Sequence, residues 1–126
     1  MIKTVSKATT QEITARVVDA LEGLKAQDIQ IIDVTPLTAI TDVMVIASGT
    51  SARHVRSLAS QVIDQAKEHQ IKPVGVEGED EGDWVLVDLG SVIVHAMQPR
   101  ARAFYNLEGL WNPRVATAEP AVALSD

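Results

Sequence analysis

The chain of 126 residues has no cysteine, which excludes disulfides and thiol chemistry. It has few aromatic residues, two tryptophans, one tyrosine and one phenylalanine, so its core must be built from aliphatic side chains. It also lacks a surplus of positive charge. Seventeen acidic residues against 11 lysines and arginines leave a net charge of −6, which argues against broad contact with nucleic-acid backbone, where cations supply most of the affinity. A basic protein is the partner class this charge favours. No apolar run approaches the roughly 20 residues of a membrane span, and the start, "MIKTVSKATTQEI", has no signal-peptide core. The expectation is a soluble, cytoplasmic protein.

What the chain does have is an apolar content of 46%, enough for one well-filled core. Thr9 and Glu12 have capping-box spacing, and Ile13, Val17, Leu21 and Leu24 repeat on one helical face, predicting a helix that ends near Ala26. "IQIIDV" (Ile29 to Val34) reads as a strand stopped by Thr35-Pro36. "VMVIAS" (Val43 to Ser48) is nearly all apolar, as a strand covered on both faces should be. Val55, Leu58, Ala59, Val62, Ile63 and Ala66 mark a second helix from about Ser51 to Glu68, and Val74 to Val76 suits a short strand. "DWVLVDL" and "VIVHAM" flank Gly90-Ser91, a two-residue hairpin signal. Pairing outward from that turn sets Leu89 opposite Val92 and Trp84 opposite Met97. One face then carries Val85, Val87, Leu89, Val92, Val94 and Ala96 and must be core. The other carries Trp84, Leu86, Asp88, Ile93, His95 and Met97 and is expected to be half open. Pro99 opens a third helix through Phe104, Leu107 and Trp111, ended by Asn112-Pro113. The order α-β-β-α-(β)-β-β-α predicts an α/β fold with a mixed sheet flanked by helices. A single domain is expected over residues 1–112, with residues 1–8 frayed and 113–126 a flexible tail.

The most enzyme-like stretch is "VIASGTSARHVRSL", in which a strand runs through Gly49, Thr50 and Ser51 into a helix carrying Arg53, His54 and Arg56. Helix N-termini bind anions, so a phosphate or nucleotide site is one reading. The other is a capped helix whose cations pair with surplus acids. Neither GxGxxG nor GxxxxGK[ST] is present, and the capped helix is favoured. His54, His69 and His95 fall on different elements without metal-ligand spacing. Asp80, Glu81 and Asp83 lack the spaced carboxylates and closing Glu of a calcium loop. With no cysteine and no GxSxG, nucleophilic catalysis has no support. No catalytic residue, metal or cofactor is expected, and His95 reads as a satisfied sheet histidine.

"EGEDEGDWVLVDLG" (Glu77 to Gly90) sets Trp84 at the edge of an acidic loop. A core tryptophan is one explanation. A docking site is the other, with Trp84 and Met97 at its centre and carboxylates at its rim. On the docking reading, truncating Trp84 should cost binding and little folding stability.

The segments "DVTPLTAITDVMVIASGTSARHVRSLASQV", "GVEGEDEGDWVLVDLGSVIVHAMQ" and "FYNLEGLW" together resemble the ribosomal silencing factor family, also called the Iojap-related family, over roughly Ile13 to Trp111. The resemblance implies a fold like that of nucleotidyltransferases without their catalytic acids. The paired carboxylates such an enzyme needs on a strand after Gly49-Thr50 are absent here, where a helix carries Asp64 alone. The resemblance further implies a non-enzyme that binds the large ribosomal subunit through its ribosomal protein fourteen. There it blocks small-subunit joining and so represses translation when nutrients are scarce. Relatives in organelles imply an alternative role in large-subunit assembly; a small nucleotide-binding enzyme using the Gly49 to Arg56 turn is the other alternative. The partner surface carried over by resemblance is Trp84, Asp88, Leu89 and Met97, with Glu77 and Glu79 at the rim. Little direct nucleic-acid binding and a homodimer in the absence of the partner are expected. Two positions depart from the family pattern: Ser91 stands where an Asp is common, and Val43-Met44 where an aromatic is common.

Overall fold

The computed structural model describes residues 8–111; the expectations for the first residues and for the tail at 113–126 lie outside them, apart from Ala8. Helix α1 (Thr10–Gly23) starts on the capping box: Thr9 Oγ1 accepts from the Glu12 amide at 3.1 Å, and the Thr9 amide donates to Glu12 Oε1 at 2.9 Å. It ends at Gly23 rather than Ala26, because Lys25 turns into the left-handed region at φ 62°. Strand β1 (Gln27–Asp33) follows, then β2 (Val43–Ser48). Helix α2 (Ala52–Glu68) is capped by Ser51. Strands β3 (Gly75–Glu77), β4 (Trp84–Asp88) and β5 (Val92–Met97) complete the sheet, and α3 (Pro99–Tyr105) and α4 (Leu107–Trp111) close the described chain.

The sheet order is β1-β2-β5-β4-β3. β2 and β5 run parallel at its centre, and the remaining pairs are antiparallel. This is the mixed α/β sheet that the alternation of strands and helices predicts. The hairpin register is the predicted one: Trp84 pairs with Met97, and the Leu89 amide donates to Val92 O at 2.9 Å. Gly90 takes φ 91° at its tip, a conformation that costs little without a Cβ. The central β2 is buried from Met44 to Ser48, as its unbroken apolar run requires.

Two apolar clusters sandwich the sheet. On one face, Val45, Val85, Val87, Val92, Val94 and Ala96 pack against the apolar stripes of α1 and α2. On the other, Ile32, Val34, Met44, Ile46, Met97 and Leu107 form a smaller cluster against which Trp84, Ala101 and Trp111 pack. The second face is covered at His95 and Met97 and remains partly open at Trp84, Leu86, Asp88 and Ile93. Segments distant in sequence, β1 with its following residues and α3–α4, cover much of it. The predicted third helix is two short helices, broken where Asn106 adopts φ 50°, ψ 56°. This break puts Leu107 into the cluster and leaves Phe104 80% exposed.

Candidate functional site

The loop between β3 and β4 carries the acids onto Trp84. Gly78 and Gly82 both have positive φ, and a Cβ on Gly78 would run into the carbonyl oxygen of Trp84. The loop therefore lies against the start of β4. Gln98 holds it from the other side, its Nε2 donating to Gly82 O at 3.1 Å and to Asp83 Oδ1 at 3.2 Å. Arg56 of α2 donates to Asp80 O at 3.4 Å. The acidic residues are thus displayed on a loop pinned at both ends.

Between this loop and α3 lies a cleft of about 530 Å³, with Glu77, Glu79, Asp80, Glu81 and Asp83 along it. Trp84 and Tyr105 form its aromatic wall, with ring centroids 4.7 Å apart. Among the described residues, none of these five carboxylates has a salt-bridge partner. Phe104 stacks edge-on against Tyr105 at 4.9 Å. Phe104, 80% exposed, extends the apolar surface beyond the cleft. An acidic lip beside exposed aromatic area suits a cationic, partly apolar partner surface.

Trp84 itself is shared between fold and surface. Its indole packs against the smaller cluster, and its Nε1 donates to His95 Nδ1 at 2.9 Å. The expectation that its truncation would cost little in folding is therefore corrected: part of the ring and its N–H belong to the interior. His95 is 5% exposed, and burial pushes its pKa down to about 4, because the charged imidazolium loses water without gaining an anion. With Nδ1 accepting from Trp84, the proton sits on Nε2, which is buried and has no partner among the described residues.

The other residues expected at the partner surface divide. Glu77 and Glu79 are exposed on the cleft. Asp88 is half-buried, and its Oδ1 accepts from the Gly90 amide at 2.8 Å, bracing the hairpin turn. Met97 is fully buried in the smaller cluster, and Leu89 is 5% exposed in the larger one, so both are corrected from contact residues to core. Met97 faces the same side as Trp84, but α3 and α4 cover it. Leu89 follows the inward alternation of β4. Tyr105, Phe104 and Gln98 take part in the surface without having been singled out from the sequence. Tyr105 lies off the apolar stripe of its helix, so periodicity carried no signal for it.

The anion-site reading of Gly49 to Arg56 meets a structural explanation at Gly49, Thr50, Ser51 and His54. A Cβ on Gly49 would approach Val55 Cγ2 to 2.9 Å and the Val55 amide nitrogen to 3.0 Å. Gly49 is therefore where β2 and α2 touch. Ser51 Oγ accepts from the His54 amide at 3.0 Å, and the Thr50 amide donates to His54 Nδ1 at 2.8 Å. His54 Nε2 donates to Leu24 O at 2.7 Å, tying α2 to the end of α1. His69, at the end of α2, and His95, within β5, are remote from it in the fold order. Among the described residues no three His, Asp or Glu side chains are grouped to hold a metal ion, and no helix is long and apolar enough to cross a membrane.

The family described as "Ribosomal silencing factor during starvation" matches residues 7–125, a span that runs beyond the resemblance read from the quoted segments. A ribosomal silencing factor of Chromobacterium violaceum is 44% identical over 101 residues, covering 80% of this chain and 83% of the relative. Its counterpart in Haemophilus influenzae is 45% identical over 93 residues, covering 74% of this chain and 91% of that protein. A mouse protein named "Mitochondrial assembly of ribosomal large subunit protein 1" is 39% identical over 100 residues, covering 77% of this chain but 44% of the mouse protein. A crystal structure of a Chromobacterium violaceum protein, 42% identical, matches with a TM-score of 0.81 and covers 82% of this chain and 87% of that one.

Proposed function

The chain belongs to the ribosomal silencing factor family, and from that premise we propose that it represses translation in the cytoplasm by docking on the large ribosomal subunit. The docking partner is ribosomal protein fourteen at the joining face, and the bound protein excludes the small subunit by its bulk. The action involves no covalent step and no cofactor. The observation that carries this reading is the cleft in which five carboxylates without salt-bridge partners among the described residues meet Trp84 and Tyr105. A basic protein surface offers cations to the lip and aliphatic stems to the rings, and the opposite charges speed encounter.

Sedimentation of purified subunits tests it. Adding the protein should shift joined ribosomes to free subunits, with the protein migrating on the large one. Unchanged joining at saturating protein would overturn the repressor reading. A second reading, assistance to large-subunit assembly, is favoured by the name of the mouse relative. It predicts accumulation of immature large subunits when the protein is removed during growth without starvation.

A further inference from the structure

We propose that His95 is a positioning residue for the docking surface: its Nδ1 fixes the Trp84 indole with the N–H turned into the fold, so that the partner meets Trp84 as a carbon and π surface. The inference rests on the docking reading above for its function, and on the geometry of this hairpin for its structure.

Three observations converge on it. The first is the bond itself, 2.9 Å between Trp84 Nε1 and His95 Nδ1, with the ring centroids 5.8 Å apart and tilted by 45°. An indole has one donor and no acceptor, so this bond spends all the hydrogen-bonding capacity of Trp84 on the interior. The second is the setting of His95. It lies in β5 on the face lined by Met44, Ile46 and Met97, and its own Nε2 is buried with no partner among the described residues. An imidazole with an orphaned N–H is a costly way to fill an apolar space. What it offers and an aliphatic residue does not is the acceptor that Trp84 uses. The third is the second ring against the indole. Tyr105 packs on it at 4.7 Å, and the cleft opens past both rings. Bonded to His95 and packed by Tyr105, the ring keeps its orientation before any partner arrives, which lowers the ordering cost of binding. Recognition at Trp84 should therefore reward alkyl stems and cations stacked on the ring, and should gain nothing from a hydrogen-bond acceptor aimed at the indole nitrogen.

The test pairs nitrogen–proton NMR of the full chain with large-subunit binding. A Trp111→Phe variant assigns the two indole signals. In the unsubstituted protein His95 should be the Nε2–H tautomer, and the Trp84 indole proton should exchange slowly. His95→Phe, which keeps the bulk and removes the acceptor, should expose that proton to fast exchange while the protein stays folded. It should weaken binding to the large subunit by about tenfold, the size of the ordering cost of one freed side chain. His95→Asn, whose Oδ1 falls near the place of Nδ1, should recover both the slow exchange and part of the affinity. A purely space-filling histidine would give the opposite pattern, with no rescue by the smaller Asn. The Nδ1–H tautomer in the unsubstituted protein would overturn the proposal even if the Phe variant did not fold. So would full affinity in His95→Phe alongside lost affinity in Trp84→Ala, which would leave the docking reading standing. If the unsubstituted protein failed to bind large subunits, the docking reading would fall, and the tautomer and exchange data would still decide whether His95 orients the indole.

Discussion

The indole of Trp84 and the imidazole of His95 are joined across the β4–β5 hairpin by a 2.9 Å hydrogen bond, one ring half-buried at the surface and the other 5% exposed. Truncating Trp84 therefore does two things. It removes apolar area from the smaller cluster, and it strands His95 Nδ1. Trp84→Ala should lose about 3 kcal/mol of stability in urea denaturation, the lower end for a buried tryptophan because part of the ring faces solvent. It should also lose about 2 kcal/mol or more in large-subunit affinity, as a central interface tryptophan does. Trp84→Phe keeps a ring but gives up the N–H that anchors it to His95, so it should lose about tenfold in affinity, as His95→Phe does, at a stability cost of about 1–2 kcal/mol. Affinity unchanged in both variants would remove Trp84 from the interface.

The buried imidazole also gives the fold a pH dependence. The folded pKa of His95 lies near 4, below its ordinary value of 6.5, so between those two pH values the unfolded chain binds the extra proton. Stability from this group is complete above about pH 6.5, falls as pH drops below it, and levels off near pH 4. The total is about 3 kcal/mol from the separation of the two pKa values. It should be read as a difference: His95→Phe should flatten this part of the stability–pH curve measured by urea titration. Equal slopes for both proteins would show that His95 does not titrate differently on folding.

Much of this hairpin was legible in the sequence, and the reason is local. Gly90-Ser91 fixes the turn, the turn fixes the register, and the register sets Trp84 opposite Met97. What covers that face was not legible. Ile32 and Val34 come from β1 and the residue after it, and Leu107 arrives only because Asn106 breaks the last helix. The face is half open at Trp84, Leu86, Asp88 and Ile93, as its polar residues suggest, but it closes over His95 and Met97. Met97 was thus read as a contact residue when it is core. The acids of the lip were legible because composition alone marks them. Tyr105 was not, since its place beside Trp84 depends on how α3 crosses the sheet.

Arg102 holds that crossing in place. Its Nε and Nη2 grip Glu108 of α4, with Nη2 to Oε2 at 2.7 Å, and its Nη1 donates to Ser48 Oγ at 2.8 Å at the end of β2. The two charged side chains are 11% and 25% exposed, so the pair falls between a surface bridge and a buried one. Arg102→Ala should cost about 2 kcal/mol of stability in denaturant. Arg102→Lys should recover little, because an ammonium cannot span Glu108 and Ser48 with the same fork. Since Tyr105 rides on α3, affinity for the large subunit should fall with it. Loss of stability with full affinity would separate the clasp from the docking surface.

The last prediction concerns the turn that most resembles a nucleotide site. At the start of α2 two of the amides an anion could use are already engaged: Ser51 Oγ takes the His54 amide, and the Thr50 amide is given to His54 Nδ1. His54 in turn reaches Leu24 O at the end of α1. If the stretch is a joint between α1 and α2, His54→Ala should lower stability by about 1–2 kcal/mol, leaving Leu24 O and the Thr50 amide to water. Millimolar ATP or GTP should leave the melting temperature of the unsubstituted protein unchanged. A ligand present at about 100 times its dissociation constant would add about 2.7 kcal/mol, a shift of several degrees in a chain of this size. A nucleotide-specific rise of that order, abolished in His54→Ala or Arg53→Ala, would make this turn a binding site and reopen the enzymatic alternative. No rise, together with the stability loss in His54→Ala, would assign Gly49 to His54 to holding the two helices together.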